Sequence, residues 1–385
     1  MTASTTSNKH HKSYDEQFEQ LLASDVYGLP QAEKSLRLSG MLSTLDRLHR
    51  ANCPAYANIA SSFAESHRSE DRIQRVNPMD TPVPLPSFPY LAVRLFKHLT
   101  LQSIPDQEIY KTLYSSGTTS SQPAKVILDQ ATSVRQTKVL VRILQQYLGK
   151  QRLPMLVIDS ANVLHDKSRY SARGAGIQGL AMFGRKLTYA LNENMQPDWP
   201  AIDAFCQQNA GRPVLIFGFT FMMWRYFIQA LQTAGRTLHL PHGVLLHSGG
   251  WKKLEAEKVS NQVFKTTVTN LMGVQKIHNF YGMAEQVGSI FVECEAGHLH
   301  APVFSDVIVR DLHTLAPVQQ GEVGLLQVLS CLPASYPGQS ILTEDLGRLL
   351  GEDDCACGKK GRYFEVLGRL PKTEVRGCSD THQPV

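Results

Sequence analysis

From about residue 108 onward, short apolar runs end in polar or glycine residues and are followed by helix-length stretches. Val126-Ile127-Leu128 precedes Asp129, which is placed to cap a helix carrying Val134, Val139, Leu140, Ile143, Leu144, Tyr147 and Leu148 along one stripe. Met155 to Ile158 ends in Asp159-Ser160, Val214 to Phe217 in Gly218, and Val244 to Leu246 in His247-Ser248-Gly249-Gly250. Strands this short and this apolar are buried on both faces, and intervening helices supply the crossovers that parallel strands require. The pattern predicts an α/β fold with a mostly parallel sheet flanked by helices. Ligands then sit beyond the carboxyl ends of the strands, where the polar and glycine residues lie.

The flanking regions differ. Residues 1–12 are polar and predict a disordered tail. Residues 13–105 read as a helical part, with Leu36, Leu38, Met41, Leu42, Leu45 and Leu48 approximating one helix face and a proline-rich extended stretch at 77–89. Residues 106–289 form the α/β part. Residues 290–345 form a smaller β-rich part, with strands expected at Ile290 to Val292, Val307 to Val309 and Val323 to Val328. Together 13–345 would be one core domain. Residues 346–385 would be a hinge-like segment and a C-terminal tail.

A 385-residue chain with 42% hydrophobic and 19% charged residues has enough apolar material for a large core, so disorder is not expected. The net charge of +5 suits an anionic substrate, but no dense Lys/Arg tract or nucleic-acid motif accompanies it, and no nucleic-acid partner is expected. Seven cysteines, an odd and scattered set, argue against a disulfide framework and for a reducing compartment. The N-terminus lacks a signal-peptide core, and the longest apolar run, Pro213 to Trp224, falls short of the ~20 residues a membrane span needs. A cytoplasmic, soluble protein is expected.

The chemistry concentrates in Tyr114-Ser115-Ser116-Gly117-Thr118-Thr119, followed by Lys125. Glycine lets a backbone approach an anion, clustered hydroxyls and N–H groups cradle phosphate oxygens, and a lysine adds positive charge. A plain Ser/Thr/Gly linker has the same composition. The order of residues resembles the phosphate loop of the superfamily of acyl- and aryl-CoA synthetases, luciferases and peptide-synthetase adenylation domains, with Ser120 where a glycine is usual.

Companion segments follow in the superfamily's order. Tyr281-Gly282-Met283-Ala284-Glu285 resembles its Tyr-Gly-x-x-Glu segment, which implies Tyr281 and Gly282 against adenine and phosphate and Glu285 on Mg²⁺. Asp345, in Thr343-Glu344-Asp345-Leu346-Gly347, resembles the ribose-binding aspartate, and Arg369 resembles the arginine that also reaches the ribose. The resemblance spans about 108 to 377 and implies ATP and Mg²⁺ as cofactors and a carboxylic acid as substrate. It also implies Lys125 and Thr118 as catalytic residues, with Ser115, Ser116, Gly117 and Thr119 binding the nucleotide. A C-terminal lid subdomain of the superfamily is expected to be absent, because the chain ends eight residues after Gly377.

Near that end stands Cys378, behind a basic stretch that favours thiolate and in a segment expected to be mobile. With Gly218-Phe219 and His247-Ser248-Gly249-Gly250-Trp251, this ending resembles the LuxE-type acyl-protein synthetases of bacterial luminescence. That resemblance implies adenylation of a long-chain fatty acid, transfer to Cys378, and delivery to acyl-reductase and acyl-transferase or thioesterase partners. It places Gly218, Phe219, His247, Gly249, Gly250 and Trp251 at the acyl substrate, although sheet core is an equally good reading of the aromatics. Two other functions fit the same motifs: a CoA ligase-like enzyme whose lid comes from a partner chain, and a nucleotide-binding relative without turnover.

Cys355-Ala356-Cys357-Gly358 is a tight thiolate pair, and Cys294 and His300 precede it. The four would form a Cys₃His set for structural Zn²⁺. A similar Cys-x-Cys-Gly precedes the hinge arginine in phenylacetate-CoA ligase relatives.

Overall fold

In a computed structural model of the chain, the structure describes residues 14–66, 83–115, 123–164, 172–251 and 257–370. Ser116, Gly117, Thr118 and Thr119 of the expected phosphate loop lie outside the described residues, as do the 1–12 tail and Cys378. The described residues fall into two compact units, one drawn from 1–114, 122–143 and 282–373, the other from 115–121, 144–281 and 374–385.

The second unit contains the parallel strands. Leu153–Ser160 pairs with Gly184–Leu191 on one side and Val214–Phe219 on the other. Gly243–Ser248 and Lys276–Tyr281 follow, every pair parallel. The core positions of Met155 to Ile158 and Val214 to Phe217 are inaccessible to solvent, as strands covered on both faces require. Helices Ala172–Ala181, Trp199–Gln208 and Asn261–Met272 intervene. Asp198 and Ser260 cap the latter two through Ala201 N–H and Val263 N–H, and Gly273 at φ +73° ends the last. Two details extend the sequence reading. Gly218-Phe219 and His247-Ser248 are the final residues of their strands rather than loop. Residues 220–233 form one helix whose middle, Met223–Ile228, winds as a π-helix. Such segments recur at functional sites.

The first unit joins the N-terminal helices to an antiparallel β structure. The helix expected around Leu36 to Leu48 runs Gln31–Asn52 and buries Leu38, Met41, Leu42, Leu45 and His49, while Leu36 faces solvent. His49 spans the core, with Nδ1 at 2.8 Å from Ser103 Oγ and Nε2 at 3.1 Å from Pro333 O. The expected β-rich strands are present as Phe291–Glu293, Ser305–Arg310 and Val323–Ser330, and the chain continues through Ser340–Glu352 and Arg362–Arg369, antiparallel to one another.

Two expectations need correction. Val126 to Leu128 belongs not to the parallel set but to a hairpin, Lys111–Tyr114 against Lys125–Leu128. Val134 leaves the buried stripe of helix Gln130–Leu148, standing 47% exposed over a surface hollow of about 550 Å³ that it shares with Leu22, Tyr110 and Val141. The stripe fails there because Thr132, Arg135 and Gln136 take the inward positions at that end of the helix.

Candidate functional site

The hairpin does for the candidate phosphate loop what a clasp does. Tyr114 pairs with Lys125, so the two ends of the 115–124 segment are held across one antiparallel register. Lys125 therefore begins a strand, half-buried, at the base of the loop. Asp129 caps the helix that follows, its Oδ1 accepting from Thr132 N–H at 2.7 Å.

In the same unit the other nucleotide candidates converge. Asp345 and Arg369 are directly paired residues of neighbouring antiparallel strands, and Arg369 Nε lies 3.3 Å from Asp345 Oδ1. Glu285 is buried on a 3₁₀ turn, and desolvation pushes its carboxyl up. Lys97, Arg369 and Asp345 all act on it electrostatically. The turn is fixed by its main chain: Tyr336 donates to Glu285 O at 2.9 Å, and Gln286 donates to the carbonyls of Val328 and Gly338. Gly282 precedes the turn where a Cβ would stand 3.0 Å from Ile290 Cγ2. Tyr281 closes the last parallel strand of the other unit.

In the second unit the acyl candidates share the carboxyl ends of adjacent strands, with Gly218 beside His247 and Phe219 beside Ser248. His247 is buried against Phe264, ring centroids 4.5 Å apart, and burial pushes its imidazole down to about 3, so the ring is neutral. Its Nδ1 lies 2.9 Å from Thr220 Oγ1, while its Nε2 is buried without a hydrogen-bond partner among the described residues. Trp251 is buried edge-on to Trp224 of the π-helical stretch, centroids 5.8 Å apart. Gly249, at φ +87°, brings the backbone close over Phe219; a Cβ there would lie 3.4 Å from the ring. Gly250 borders open space. The site is thus aromatic, with a neutral His247 buried in it. Thr220 stands in the Gly218-Phe219-Thr220-Phe221 segment that carries the family resemblance, whereas no sequence signal marks the π-helical turn.

The thiolate set comes together. One ligand atom each from Cys294, His300, Cys355 and Cys357 lies within 4.8 Å of the others. Cys294 Sγ and Cys355 Sγ are 3.9 Å apart, and Cys357 Sγ and His300 Nε2 are 3.3 Å apart. Tetrahedral zinc with Zn–S of about 2.3 Å and Zn–N of about 2.05 Å would space these atoms by roughly 3.8 and 3.6 Å, so the donors fit such an ion. The geometry arises from two turns and a strand pair. Cys294 and Cys355 each accept a turn N–H, from Gly297 and Gly358, and both glycines have positive φ. His300 is carried in by its pairing with Tyr363. His298, which the sequence reading passed over, places Nδ1 3.5 Å from Cys355 Sγ. Tyr363 stacks on both histidines, and Tyr27 meets His300 edge-on.

The family model "Acyl-protein synthetase, LuxE" matches residues 4–384. A long-chain-fatty-acid–luciferin-component ligase of Vibrio harveyi is 22% identical over 311 residues, covering 77% of each chain. The ligase of the same name from Aliivibrio fischeri is 27% identical over 139 residues, which span only 36% of that relative and 35% of this chain. Among solved structures, an open conformation of 2-hydroxyisobutyryl-CoA ligase, in complex with 2-HIB-AMP and CoA, matches at a TM-score of 0.64 and 15% identity, covering 89% of this chain and 76% of that one. The thioesterification state of the same ligase matches equally well, at 0.64, over 70% of its chain. At such identities the likeness is one of fold, which is that of an adenylate-forming ligase. With a family model matched across nearly its whole length, the chain belongs to the LuxE acyl-protein synthetase family.

Proposed function

We propose that the protein activates a long-chain fatty acid with ATP and then takes the acyl group onto its own Cys378. The observation that carries the first step is the convergence of Asp345, Arg369 and Glu285 in one unit, on the residues for which the adenylation motifs call. The fatty-acid substrate rests on the names of the Vibrio harveyi and Aliivibrio fischeri relatives.

In the first half-reaction a carboxylate oxygen attacks the α-phosphorus of ATP, and pyrophosphate leaves with the electron pair of the broken P–O bond. Asp345 accepts from the ribose hydroxyls with Arg369 beside it, and Tyr281 and Gly282 border the adenine and phosphate. Ser115, Ser116, Gly117, Thr118, Thr119 and Lys125 stabilise charge on the phosphates. Mg²⁺ held at Glu285 would offset phosphate charge as a Lewis acid. In the second half-reaction the Cys378 thiolate attacks the acyl carbon, and AMP leaves. Gly218, Phe219, His247, Gly249, Gly250 and Trp251 would flank the acyl group. Delivery to a reductase and a transferase or thioesterase follows from the thioester, whose acyl carbon is open to a second nucleophile or a hydride donor. Cys294, His300, Cys355 and Cys357 would hold a structural zinc. Among the described residues no helix is long and apolar enough to cross a membrane, and we place the reaction in the cytoplasm.

Incubation with radiolabelled fatty acid and ATP tests the reading. The wild type should acquire a hydroxylamine-sensitive label and release pyrophosphate, while Cys378→Ser should release pyrophosphate without the label. An equal label on the Ser variant would sink the tail-thiol step, and rapid acyl-CoA formation without self-labelling would favour a CoA ligase.

A further inference from the structure

The register of the parallel strands fixes which residues share the carboxyl-end row of the second unit. Val157 lies beside Phe217, Phe219 beside Ser248, and Ser248 beside Phe280. Phe219, Ser248 and Phe280 thus occupy successive places in the row of carboxyl ends where open parallel sheets bind their ligands, and Asp159 lies at the same end of strand Leu153–Ser160, beyond its last register pair with Val214–Phe219. Arg173, on helix Ala172–Ala181, reaches this row, with Nε 3.0 Å from Asp159 Oδ2. Gly176, one turn along, presses on the same aromatic; a Cβ there would lie 3.0 Å from Phe219 Cζ.

This ion pair is buried but incompletely made. The Arg173 and Asp159 side chains are 8% and 2% exposed. Their close contact lacks the alignment of a hydrogen bond, and Arg173 Nη1 is buried with no hydrogen-bond partner among the described residues. Asp159 Oδ1 accepts only from Ser160 N–H among the described residues, at 2.7 Å. Buried guanidinium donors are ordinarily filled, and the planar fork is shaped to take a carboxylate with two parallel bonds. Asp159 does not supply the second. Burial pushes its carboxyl up to about 6, against the pull of Arg173 and of Ser160 N–H. The other titratable group acting on it, Tyr189 of strand Gly184–Leu191, is itself raised and stays neutral through this range.

We propose that Arg173 anchors the carboxylate of the acid to be activated, and that Asp159 is the resting counter-ion from which the acid takes it. The proposal rests on the acid-activating reading above and adds the residue that holds the reacting end. When the acid binds, its carboxylate occupies the unfilled Nη edge, and Asp159 takes up a proton rather than leave two carboxylates on one guanidinium. A substrate carboxylate remains ionised above about pH 5. Acid affinity therefore rises as pH falls from 8 to 6, because protonated Asp159 no longer competes.

The test uses the full chain, with decanoate as the probe acid in ATP–pyrophosphate exchange. Arg173→Gln should raise the decanoate KM at least tenfold and leave the ATP KM within twofold. Asp159→Asn should lower the decanoate KM severalfold at pH 8 and flatten its dependence between pH 6 and 8. That gain is the decisive arm, since a merely structural pair predicts that both variants lose together. A folded Arg173→Gln with unchanged decanoate KM overturns the anchor, as does an Asp159→Asn variant with raised KM. Direct decanoate binding, followed by tryptophan fluorescence, separates the two readings. Binding that needs Arg173, in a wild type without exchange, would sink acid activation and keep the anchor. Binding indifferent to Arg173 would sink the anchor alone.

Discussion

Removing the zinc proposed for the Cys294–His300–Cys355–Cys357 set should loosen helix Gln31–Asn52 as well as the cysteine loop. The reason is in the hydrogen bonds that radiate from that loop. Lys360 N–H donates to Tyr27 O at 2.8 Å, and Gln31 N–H donates to both Asp353 oxygens at 2.9 and 3.0 Å. Gly361 N–H donates to the same carboxylate at 2.7 Å, and Arg362 N–H donates to Gln31 Oε1 at 3.0 Å. The loop 353–362 is thus both a ligand carrier and the seat of helix Gln31–Asn52. Free zinc at 100 to 1,000 times its dissociation constant stabilises by about 2.7–4.1 kcal/mol. Unfolding a unit of roughly 200 residues at about 2.1 cal/mol/K per residue has an entropy near 0.4 kcal/mol/K, so the melting temperature should fall by about 6–10 °C on chelation. Cys357→Ala, which removes one sulfur donor and little core, should do the same without chelator. The assay is elemental analysis of protein purified in zinc-containing buffer, paired with thermal melts and amide exchange. One zinc per chain should be found, and exchange should accelerate first at 31–34 and 358–362. Protein that carries no zinc and melts identically with and without chelator would refute the reasoning.

Three further outcomes follow from burial. Asp306→Asn should cost about 3–5 kcal/mol in urea titrations, because it removes the negative charge facing Lys34, which is 1% exposed and otherwise donates to the Ala301 carbonyl. Lys34→Met should cost less, since Asp306 keeps Gln31 Nε2 at 2.6 Å, Val307 N–H at 2.9 Å and Arg362 at 3.7 Å; the reverse order would contradict this account. Gly288→Ala should lose roughly 2–4 kcal/mol, since at φ +89° the new Cβ would meet Gln136 O at 2.7 Å, and a melt within 1 °C of wild type would refute it. His49 and His247 are both pushed down to about 3 by burial, whereas unfolded they titrate near 6.5. Their contribution to stability is full above about 6.5 and is lost as pH falls from there toward 3, so urea midpoints should decline from pH 7 to 5, and less steeply in His49→Gln.

The parallel strands were legible because each is a short apolar run closed by residues that cannot continue it, as at Asp159-Ser160 and His247-Ser248. Strand Gly184–Leu191 was missed for the opposite reason: Arg185 and Lys186 are exposed on it, and its solvent-facing polar residues hide the pattern. Strand Ser340–Glu352 was hidden by Gly347 and Gly351, whose missing side chains make room for Glu365 O and the Tyr363 ring across the register shifts. The hairpin Lys111–Tyr114 with Lys125–Leu128 could not be told from a parallel strand, since an apolar triplet does not name its partner.

Site residues were legible in proportion to how little their chemistry depends on long-range register. Cysteine and histidine are rare and have few roles, so Cys294, His300, Cys355 and Cys357 could be grouped across sixty residues before any strand was paired. Asp345 and Arg369 were each assigned to a ribose by local resemblance, and the antiparallel register accounts for why two such residues stand together: they are opposite one another. Arg173 escaped because Ala172–Ala181 is built largely of alanine and glycine, which carry no helical period to show which way an arginine points. Its partner Asp159 was visible only as a strand ending. What joins them is a helix close enough for Gly176 to touch Phe219, and that approach depends on the absence of a side chain. A glycine that admits a helix to the strand ends also admits the arginine one turn before it. Gly176→Val should therefore disturb decanoate binding through Arg173 even though it adds no charge and removes none.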